Sequence, residues 1–146
     1  MSDVGLTHVA LPVTNLDASI AFYAKYARME VVHRRDDPNG RVAWLSDKTR
    51  PFVIVLLEAA TVSNPLLPFA HLGVGCASRN EVDRLCAQAR AEGRLRGGPT
   101  DSGYPVGYWA LIADPDQHTL EVAFGQEVGL TVERAAAAPG TLQSKQ

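Results

Sequence analysis

The sequence predicts an α+β protein that is built from two βαβββ modules. A short strand-like run with a histidine near its head occupies residues 6–13, and a similar run with its histidine in the same place occupies residues 69–76. Each run is followed by a helical pattern and then by short apolar runs that turn residues separate. An internal repeat of this kind is typical of a chain that contains two copies of one supersecondary unit.

The first module shows clear start and stop signals. Asn15 and Asp17 are suitable caps for a helix over residues 18–27, in which apolar residues recur at i, i+3, i+4 and i+7. Strands are predicted around this helix and after it, where the turn sequences at residues 36–40 and 48–51 separate them. Their predicted ranges are residues 7–13, 29–33, 41–47 and 52–58.

The second module repeats the order. Residues 78–81 have the form of a capping box and open a helix that ends before Gly93. Residues 97–105 are predicted to be a glycine-rich loop, and the strands are expected at residues 70–76, 94–97, 106–113 and 119–124. We therefore expect a first module over residues 1–62, a second over 63–126, and a flexible tail over 127–146, whose polar end at 141–146 should be disordered.

Composition excludes several classes of protein. The chain has 14 basic and 16 acidic side chains and no basic stripe, so nucleic acid is not expected as a partner. No apolar stretch reaches the length of about 20 residues that spans a bilayer. The two cysteines, Cys76 and Cys86, form neither a metal-binding pair nor a disulfide framework. We expect a cytoplasmic protein with a small-molecule substrate.

Three polar residues stand in predicted strands at matching points of the repeat. His8 and His71 lie in the opening strands, and Glu121 lies in the last strand. Strand alternation places His8 and Glu121 on faces that otherwise carry small residues, as in the wall of a cavity. Two imidazoles and one carboxylate are a common ligand set for a divalent cation, and they leave positions open for water or substrate. A lone strand histidine is more often structural, but the matched placement favours a metal site.

These features resemble the vicinal oxygen chelate superfamily, which includes glyoxalase I, extradiol dioxygenases and bleomycin-resistance proteins. The resemblance covers residues 5–126 and depends on His8, the helix segment at 18–23, His71, and the motif at 114–121. The family usually has glycine where this chain has Gln117, so we expect a less tight turn there. The resemblance implies two modules whose sheets curl into a barrel-like cleft around the metal. It also implies a homodimer, and it leaves open whether the modules pair within one chain or between two.

The resemblance also implies a reaction type and a metal. His8, His71 and Glu121 would hold Fe, Mn, Co, Ni or Zn, with Glu121 as the catalytic ligand, and the cation would stabilise a developing oxyanion. Glyoxalase I has a fourth ligand in the last strand of its first module. Alignment of Asp47 with Asp114 gives an offset of 67 residues between the modules, so the counterpart of Glu121 is Ile54. We therefore expect Ile54 to line the cleft, with Glu58 as an alternative fourth ligand. Tyr104 and Tyr108, beside the glycine-rich loop, are candidate substrate contacts, with loop packing as the alternative.

Three functions remain compatible with the sequence. The favoured one is a metal-dependent lyase or isomerase of glyoxalase type that acts on a small oxygenated substrate. An Fe(II)-dependent dioxygenase is the second, although the tyrosine expected in extradiol enzymes is Leu111 here. A non-catalytic binding protein of the bleomycin-resistance kind is the third, and the presence of all three ligand candidates argues against it. Ala10 stands where fosfomycin-type transferases have threonine, which argues against that chemistry.

Overall fold

The structure, a computed structural model, describes residues 3–138 and contains eight strands and three helices within them. The elements follow one another in the predicted order, with an additional helix after the second module. Their bounds are β1 His8–Val13, α1 Leu16–Ala27, β2 Glu30–Asp37, β3 Gly40–Ser46, β4 Val53–Glu58, β5 Leu72–Gly75, α2 Arg79–Ala91, β6 Leu95–Asp101, β7 Tyr108–Ala113, β8 Thr119–Phe124 and α3 Val128–Ala137.

The two modules have the same sheet topology. The first sheet has the strand order β1-β4-β3-β2 and the second has the order β5-β8-β7-β6. In each sheet the opening strand pairs in parallel with the last strand of its module, and the other pairs are antiparallel. The predicted α+β class with two βαβββ modules is confirmed. Within one chain the sheets curl but do not close into a barrel.

Helices α1 and α2 begin where the sequence signals place them. The side chain of Asn15 accepts a hydrogen bond from Ala18 N at 3.0 Å, and the hydroxyl of Ser78 accepts one from Glu81 N at 3.2 Å. The Glu81 carboxylate accepts a further bond from Ala77 N at 2.7 Å. These contacts satisfy backbone donors that a helix start leaves without partners.

Each sheet has one face covered by its helix and one face open. The core lies on the helix side, where Leu11, Leu45 and Leu56 of the first sheet and Ile112 and Leu120 of the second are buried. The strand residues between them point the other way because side chains alternate along a strand. His8, Trp44, Val55 and Glu121 are on these other faces, where Trp44 is 41% exposed and the side chain of Glu121 is 13% exposed.

The strand β6 is longer than predicted, and the glycine-rich loop is correspondingly shorter. Residues 97–101, expected in the loop, form the second half of β6 on the edge of the sheet. Pro99 is tolerated because an edge strand need not donate every backbone N–H. A Cβ at Gly98 would meet the carbonyl oxygen of Trp109 at 2.7 Å, so the close approach of β6 to β7 requires glycine there.

The predicted flexible tail is also partly ordered. Val128–Ala137 forms α3, whose described side chains are not buried, so this helix lies on the surface. The expectation of disorder at residues 141–146 concerns residues that the structure does not describe. None of the helices found between residues 3 and 138 is long and apolar enough to cross a bilayer.

The turn between β7 and β8 joins the two modules. Asp114 is fully buried, and its carboxylate accepts hydrogen bonds from the backbone N–H groups of Asp116 and His118 and from the Tyr23 hydroxyl of α1, at 2.8, 2.9 and 2.8 Å. Asp116 accepts from the backbone and hydroxyl of Thr14, after β1, at 3.0 and 2.6 Å. The turn therefore fixes the start of β8 against the first module.

His118 completes this connection. Its Nε2 lies 2.8 Å from the carbonyl oxygen of Pro12 in β1, and its Nδ1 accepts from Leu66 N in the linker at 3.0 Å. His118 therefore holds the turn against β1 and the linker. Gln117 adopts φ 73, in the left-handed region that favours glycine, and its N–H donates to the Asp114 carbonyl at 3.1 Å. The turn is thus tight despite the missing glycine, contrary to the expectation from sequence.

Candidate metal centre

Two of the three predicted ligands lie together on the open face of the second sheet. His71 immediately precedes β5, and Glu121 lies in the middle of β8, which pairs in parallel with β5. The Nε2 atom of His71 is 4.0 Å from Oε2 of Glu121. The side chain of His71 is 40% exposed and that of Glu121 is 13% exposed, so the pair is accessible from the open face.

The orientation of His71 presents a lone pair to this face. Its Nδ1 lies 2.6 Å from the carbonyl oxygen of Phe69, and a carbonyl can only accept a hydrogen bond. Nδ1 must therefore carry the proton, which leaves Nε2 of the neutral ring without one. A backbone carbonyl that fixes the tautomer in this way is a common support for a metal-binding histidine.

The carboxylate of Glu121 is held by the residue that follows the strand. The side-chain amide of Gln126 donates a hydrogen bond to Oε2 of Glu121 at 3.0 Å. Gly73, the partner of Glu121 across the strand pair, leaves room beside the carboxylate, since a Cβ there would lie 3.6 Å from Oε2. No motif in the sequence marks Gln126, which follows a bend at Gly125.

The third predicted ligand is separate from this pair. His8 begins β1, and its Nδ1 lies 2.9 Å from the Thr7 hydroxyl. It lines a cavity of about 690 Å³ on the open face of the first sheet. Among residues 3–138 no group of three His, Cys, Asp or Glu side chains could hold a metal ion. A single chain therefore does not bring His8, His71 and Glu121 together.

The His71–Glu121 pair fits one half of a metal centre. An unprotonated ring nitrogen and a carboxylate oxygen are both electron-pair donors, so these two atoms, 4.0 Å apart, form a pair of donors for a cation. Imidazole and carboxylate suit the borderline divalent cations from Mn(II) to Zn(II). Two protein ligands are fewer than such sites usually have, so the pair needs another donor.

The counterpart of Glu121 in the first module is Val55, and this corrects the expectation for Ile54. Gly73 pairs with Glu121 in the second sheet, and at the equivalent point of the first sheet Ala10 pairs with Val55. The structural offset is 121 − 55 = 66, one less than the offset that the sequence suggested. Because side chains alternate, this shift places Ile54 in the core, where it is 3% exposed.

Glu58 is engaged elsewhere. Its Oε2 accepts hydrogen bonds from the backbone N–H of Leu16, at the start of α1, and from Arg41 at 2.9 and 3.1 Å. Glu58 pairs with Val13 at the far end of β1 from His8. The carboxylate therefore supports a helix start on the opposite face of the sheet, and it is not placed to contribute to a site at His8.

The two predicted substrate contacts have different surroundings. Tyr104 lies in the loop between β6 and β7 and is 68% exposed. Tyr108 shares the strand face of the buried residues Ala110 and Ile112, and its hydroxyl donates to Asp83 of α2 while the Arg79 guanidinium lies over its ring at 4.0 Å. Tyr108 thus faces the helix side, away from Glu121, and it is not positioned as a substrate contact.

Both tryptophans of the protein are on the open faces. Trp109, next to Tyr108, has the opposite orientation, and its ring N–H donates to the Ser102 hydroxyl at 2.9 Å. Trp44 pairs with Val55 in the first sheet and is 41% exposed, and its ring contacts that of His33 in a tilted arrangement with 4.8 Å between the ring centroids. Leu111 pairs with Glu121 and therefore shares its face of the sheet. Trp109 lies two residues before Leu111 in β7, so strand alternation places it on the same face.

Comparison with known proteins identifies the family. The profile of the Glyoxalase/Bleomycin resistance protein/Dioxygenase superfamily matches residues 5–122, which is most of the chain. The chain belongs to this superfamily. The predicted resemblance to the vicinal oxygen chelate proteins is thereby confirmed.

Relatives within the superfamily differ in how much is known of them. An uncharacterised protein of Pseudomonas aeruginosa is 36% identical over 127 residues, which cover 85% of this chain and 91% of that protein. Lactoylglutathione lyase of Arabidopsis thaliana is 29% identical over 124 residues, which cover 79% of this chain and 42% of the enzyme. The chain thus spans less than half the length of that plant enzyme.

A solved structure of the same superfamily shares the fold. A variant of the fosfomycin resistance protein FosX from Listeria monocytogenes, in complex with Mn(II) and 1S,2S-dihydroxypropylphosphonic acid, has a TM-score of 0.67. The sequences are 18% identical, and the match covers 90% of this chain and 99% of that one. The similarity shows that the two proteins have the same architecture.

Proposed function

We propose that the protein is a metal-dependent enzyme of glyoxalase type, a lyase or isomerase that acts on a small oxygenated substrate. In this proposal two copies of the chain form each site. His71 and Glu121 of one copy and His8 of a second copy hold one divalent cation, which is Fe, Mn, Co, Ni or Zn. The free thiols of Cys76 and Cys86 are compatible with a reducing cytoplasm, which we propose as its location.

The observation that carries the proposal is the division of the ligand set between two open faces. His71 and Glu121 present two donor atoms 4.0 Å apart on one open face, and His8 lies on another. Each face also exposes an indole ring, and Trp44 remains 41% exposed in the single chain. Partly exposed aromatic side chains on an uncovered sheet favour association with another protein surface. A second copy would cover the face and supply the missing ligand.

The residues around the candidate metal centre suit the chemistry of this class. A bound divalent cation supplies Lewis-acid stabilisation for negative charge that develops on a substrate oxygen. The Phe69 carbonyl holds the His71 ring, and the Gln126 amide holds the Glu121 carboxylate, so both ligands are oriented in advance. Val55 stands at the position where a fourth protein ligand would lie, which leaves room for substrate oxygens.

The lyase or isomerase assignment has support from one relative. The plant relative named lactoylglutathione lyase is 29% identical, and this similarity favours lyase chemistry over oxygenase chemistry. Val55 stands where a glutamate would complete the four-ligand pattern expected of glyoxalase I, so this chain differs from that pattern. We therefore propose lyase or isomerase chemistry on a small substrate that has neighbouring oxygen atoms.

A mixing experiment tests the shared site. The variants His8→Ala and Glu121→Gln are coexpressed with different affinity tags, and the mixed dimer is isolated by two purification steps. Each pure variant should lose most of its metal. The mixed dimer should regain about one metal per dimer, because one of its two sites contains all three intact ligands. Metal content is measured by mass spectrometry, and activity with panels of hemithioacetals and catechols.

In a matched control, the two substitutions affect His71 and Glu121, the two ligands that one copy contributes to a site. In a mixed dimer of His71→Ala and Glu121→Gln, each site lacks one ligand, so metal content should stay low. Full metal content in the pure His8→Ala variant would contradict the shared site. Activity on catechols with no activity on hemithioacetals would replace the lyase assignment with the oxygenase one.

A further inference from the structure

We propose that Arg50 binds an anionic group of the substrate, a carboxylate or a phosphonate, while the neighbouring oxygens of the substrate reach the metal centre. The inference rests on the proposed function for the metal contact, but the anion contact follows from the surroundings of Arg50 itself. Arg50 lies in the loop between β3 and β4, and no sequence motif marks it.

Arg50 borders three neighbouring cavities. One, of about 690 Å³, contains His8 and Trp44 on the open face of the first sheet. A second, of about 440 Å³, lies between the modules, and a third, of about 550 Å³, contains Gly73 and Gln126. Gly73 and Gln126 both adjoin Glu121. Arg50 lines all three cavities, so its charge lies where the surface near His8 meets the surface near Glu121.

Arg50 lacks an internal partner. Its side chain forms neither a hydrogen bond nor an ion pair with any residue in the described range 3–138, and it is exposed. Most other described arginines are paired with protein groups, for example Arg41 with Glu58 and Arg96 with Gln117. The described arginines that are likewise unpaired, Arg84, Arg90 and Arg134, line none of these three cavities. Arg50 is therefore the cation available to a ligand there.

The backbone on both sides of Arg50 is fixed. Asp47 Oδ1 accepts from the backbone and hydroxyl of Thr49 at 2.9 and 2.6 Å, and Ser46 Oγ accepts from Lys48 N at 2.9 Å. The carbonyl of Arg50 accepts from Phe52 N at 2.8 Å. The loop thus fixes the backbone from which the Arg50 side chain extends, so only the side chain has to become ordered when a ligand binds.

One carboxylate acts on Arg50 from nearby without contacting it. Burial raises the pKa of Asp47, the hydrogen bonds from Thr49 lower it, and the charge of Arg50 adds to this lowering, with a net decrease. The two charges attract each other across a distance longer than an ion pair. Asp47 uses its oxygen for Thr49, so the guanidinium keeps its donors for a second anion.

Arginine and the cavity walls define the ligand class. A guanidinium binds the two oxygens of a carboxylate or a phosphonate in bidentate fashion, and such contacts are strong where water is partly excluded. The walls beside Arg50 include the apolar Pro51, Phe52 and Val53, and the polar residues Ser46 and Asp3 also line this cavity. A small acid with a carbonyl or hydroxyl beside its charged group fits this surface. A neutral diketone would lack the anion contact.

The test compares three probes in Arg50 variants. Pyruvate, acetylphosphonate and neutral 2,3-butanedione are titrated calorimetrically into the full chain, with and without Mn(II). Arg50→Gln should weaken the binding of pyruvate and acetylphosphonate by about tenfold or more and leave butanedione unchanged. Arg50→Lys should lose less, since it keeps the charge without the planar fork. The site prefers whichever of the two anions, pyruvate or acetylphosphonate, loses more affinity in the Arg50→Gln variant.

Arg84→Gln is the matched control, because Arg84 is also exposed and unpaired but lines none of the cavities. It should bind all probes like the unchanged protein. Equal binding by Arg50→Gln and the unchanged protein, equal losses in both variants, or no anion binding by the unchanged protein would overturn the inference. A protein that holds no Mn(II) would refute the proposed function, while the metal-free titrations would still decide the role of Arg50.

Discussion

At the scale of residues, the candidate centre depends on how His71 and Glu121 are held. His71 receives its orientation from the Phe69 carbonyl, and Glu121 receives it from the amide of Gln126. The sequence identified Glu121 because it lies alone among small residues on its strand face, and His71 because it matches His8 in the repeat. It could not identify Gln126, whose contact with Glu121 depends on the path of the chain after Gly125.

Replacement of Gln126 by leucine should weaken metal binding without loss of the fold. The variant keeps a similar volume but removes the donor to Glu121 Oε2, so the carboxylate becomes free to rotate. Losses of about 10-fold to 100-fold in metal affinity are usual when such a support is removed. A competition titration with a chelating dye measures the affinity. An asparagine at this position, which keeps an amide, should recover part of the loss, and unchanged affinity in the leucine variant would contradict the role.

At the scale of elements, the strand register determines what faces the cleft. The ranges and order of β1 to β8 were largely predictable, because apolar runs and turn residues mark them. The register was predictable only to within one residue, and one residue exchanges the two faces of a strand. Ile54 was misplaced for this reason, since Val55 occupies the open face instead. Tyr108 was a candidate because it adjoins the glycine-rich loop, and its place in β7 turns it to the helix side, with Trp109 on the open face.

A glutamate at Val55 should add a ligand to the first half of the site. Val55 occupies the position in its sheet that Glu121 occupies in the other, so Val55→Glu should raise metal affinity, by about tenfold or more if the new carboxylate reaches the cation. Ile54→Glu is the contrasting variant, because it buries a charge at a residue that is 3% exposed. It should destabilise the fold by several kcal/mol. Thermal unfolding and metal titration of both variants distinguish these outcomes.

Tyr23 of helix α1 should make the free energy of unfolding sensitive to alkaline pH. Tyr23 is fully buried and donates to Asp114 at 2.8 Å, and burial together with the Asp114 charge raises its pKa. A phenol with a raised pKa in the folded state adds stability below its unfolded pKa near 10, and this stability is lost as pH rises further. The free energy of unfolding should therefore fall above pH 10 by up to about 1.4 kcal/mol per pH unit from this group.

The Tyr23→Phe variant provides the comparison. It removes the ionisable hydroxyl and should be less stable at neutral pH by about 1–3 kcal/mol, because Asp114 loses one of three donors. Its stability should then depend less on pH between 9 and 11. Urea unfolding at several pH values measures both effects. Parallel pH profiles for the two proteins would show that Tyr23 does not titrate in this way.

At the scale of the whole molecule, the arrangement of the modules was not predictable. The modules are held together by the buried turn at Asp114, by the ring of His118 and by the contacts of α1. In this arrangement one face of each sheet stays open. Another polar contact between the modules joins the Tyr26 hydroxyl to Glu92 at 2.8 Å. Such contacts join side chains that are distant in sequence, and the hydrophobic periodicity of the sequence does not predict them. The repeat predicted two modules but not which faces meet.

Dilution should lower metal content and activity together. If each site needs two copies, occupancy per chain falls once the concentration drops below the dissociation constant of the dimer. Trp44→Glu places a charge on the open face and should shift the protein towards the monomer. Sedimentation velocity and metal analysis across a dilution series measure both. Constant metal content in a monomeric Trp44→Glu variant would show that one chain suffices.

The separation of His8 from the His71–Glu121 pair also has a consequence for inheritance. With the site divided between copies as we propose, a chain that has lost Glu121 damages only the site to which it contributes that residue. In a cell that makes the normal and the damaged chain equally, activity would fall in proportion to gene dosage, and the defect would not be dominant. Two alleles that damage different halves would partly mask each other, as though they belonged to different genes.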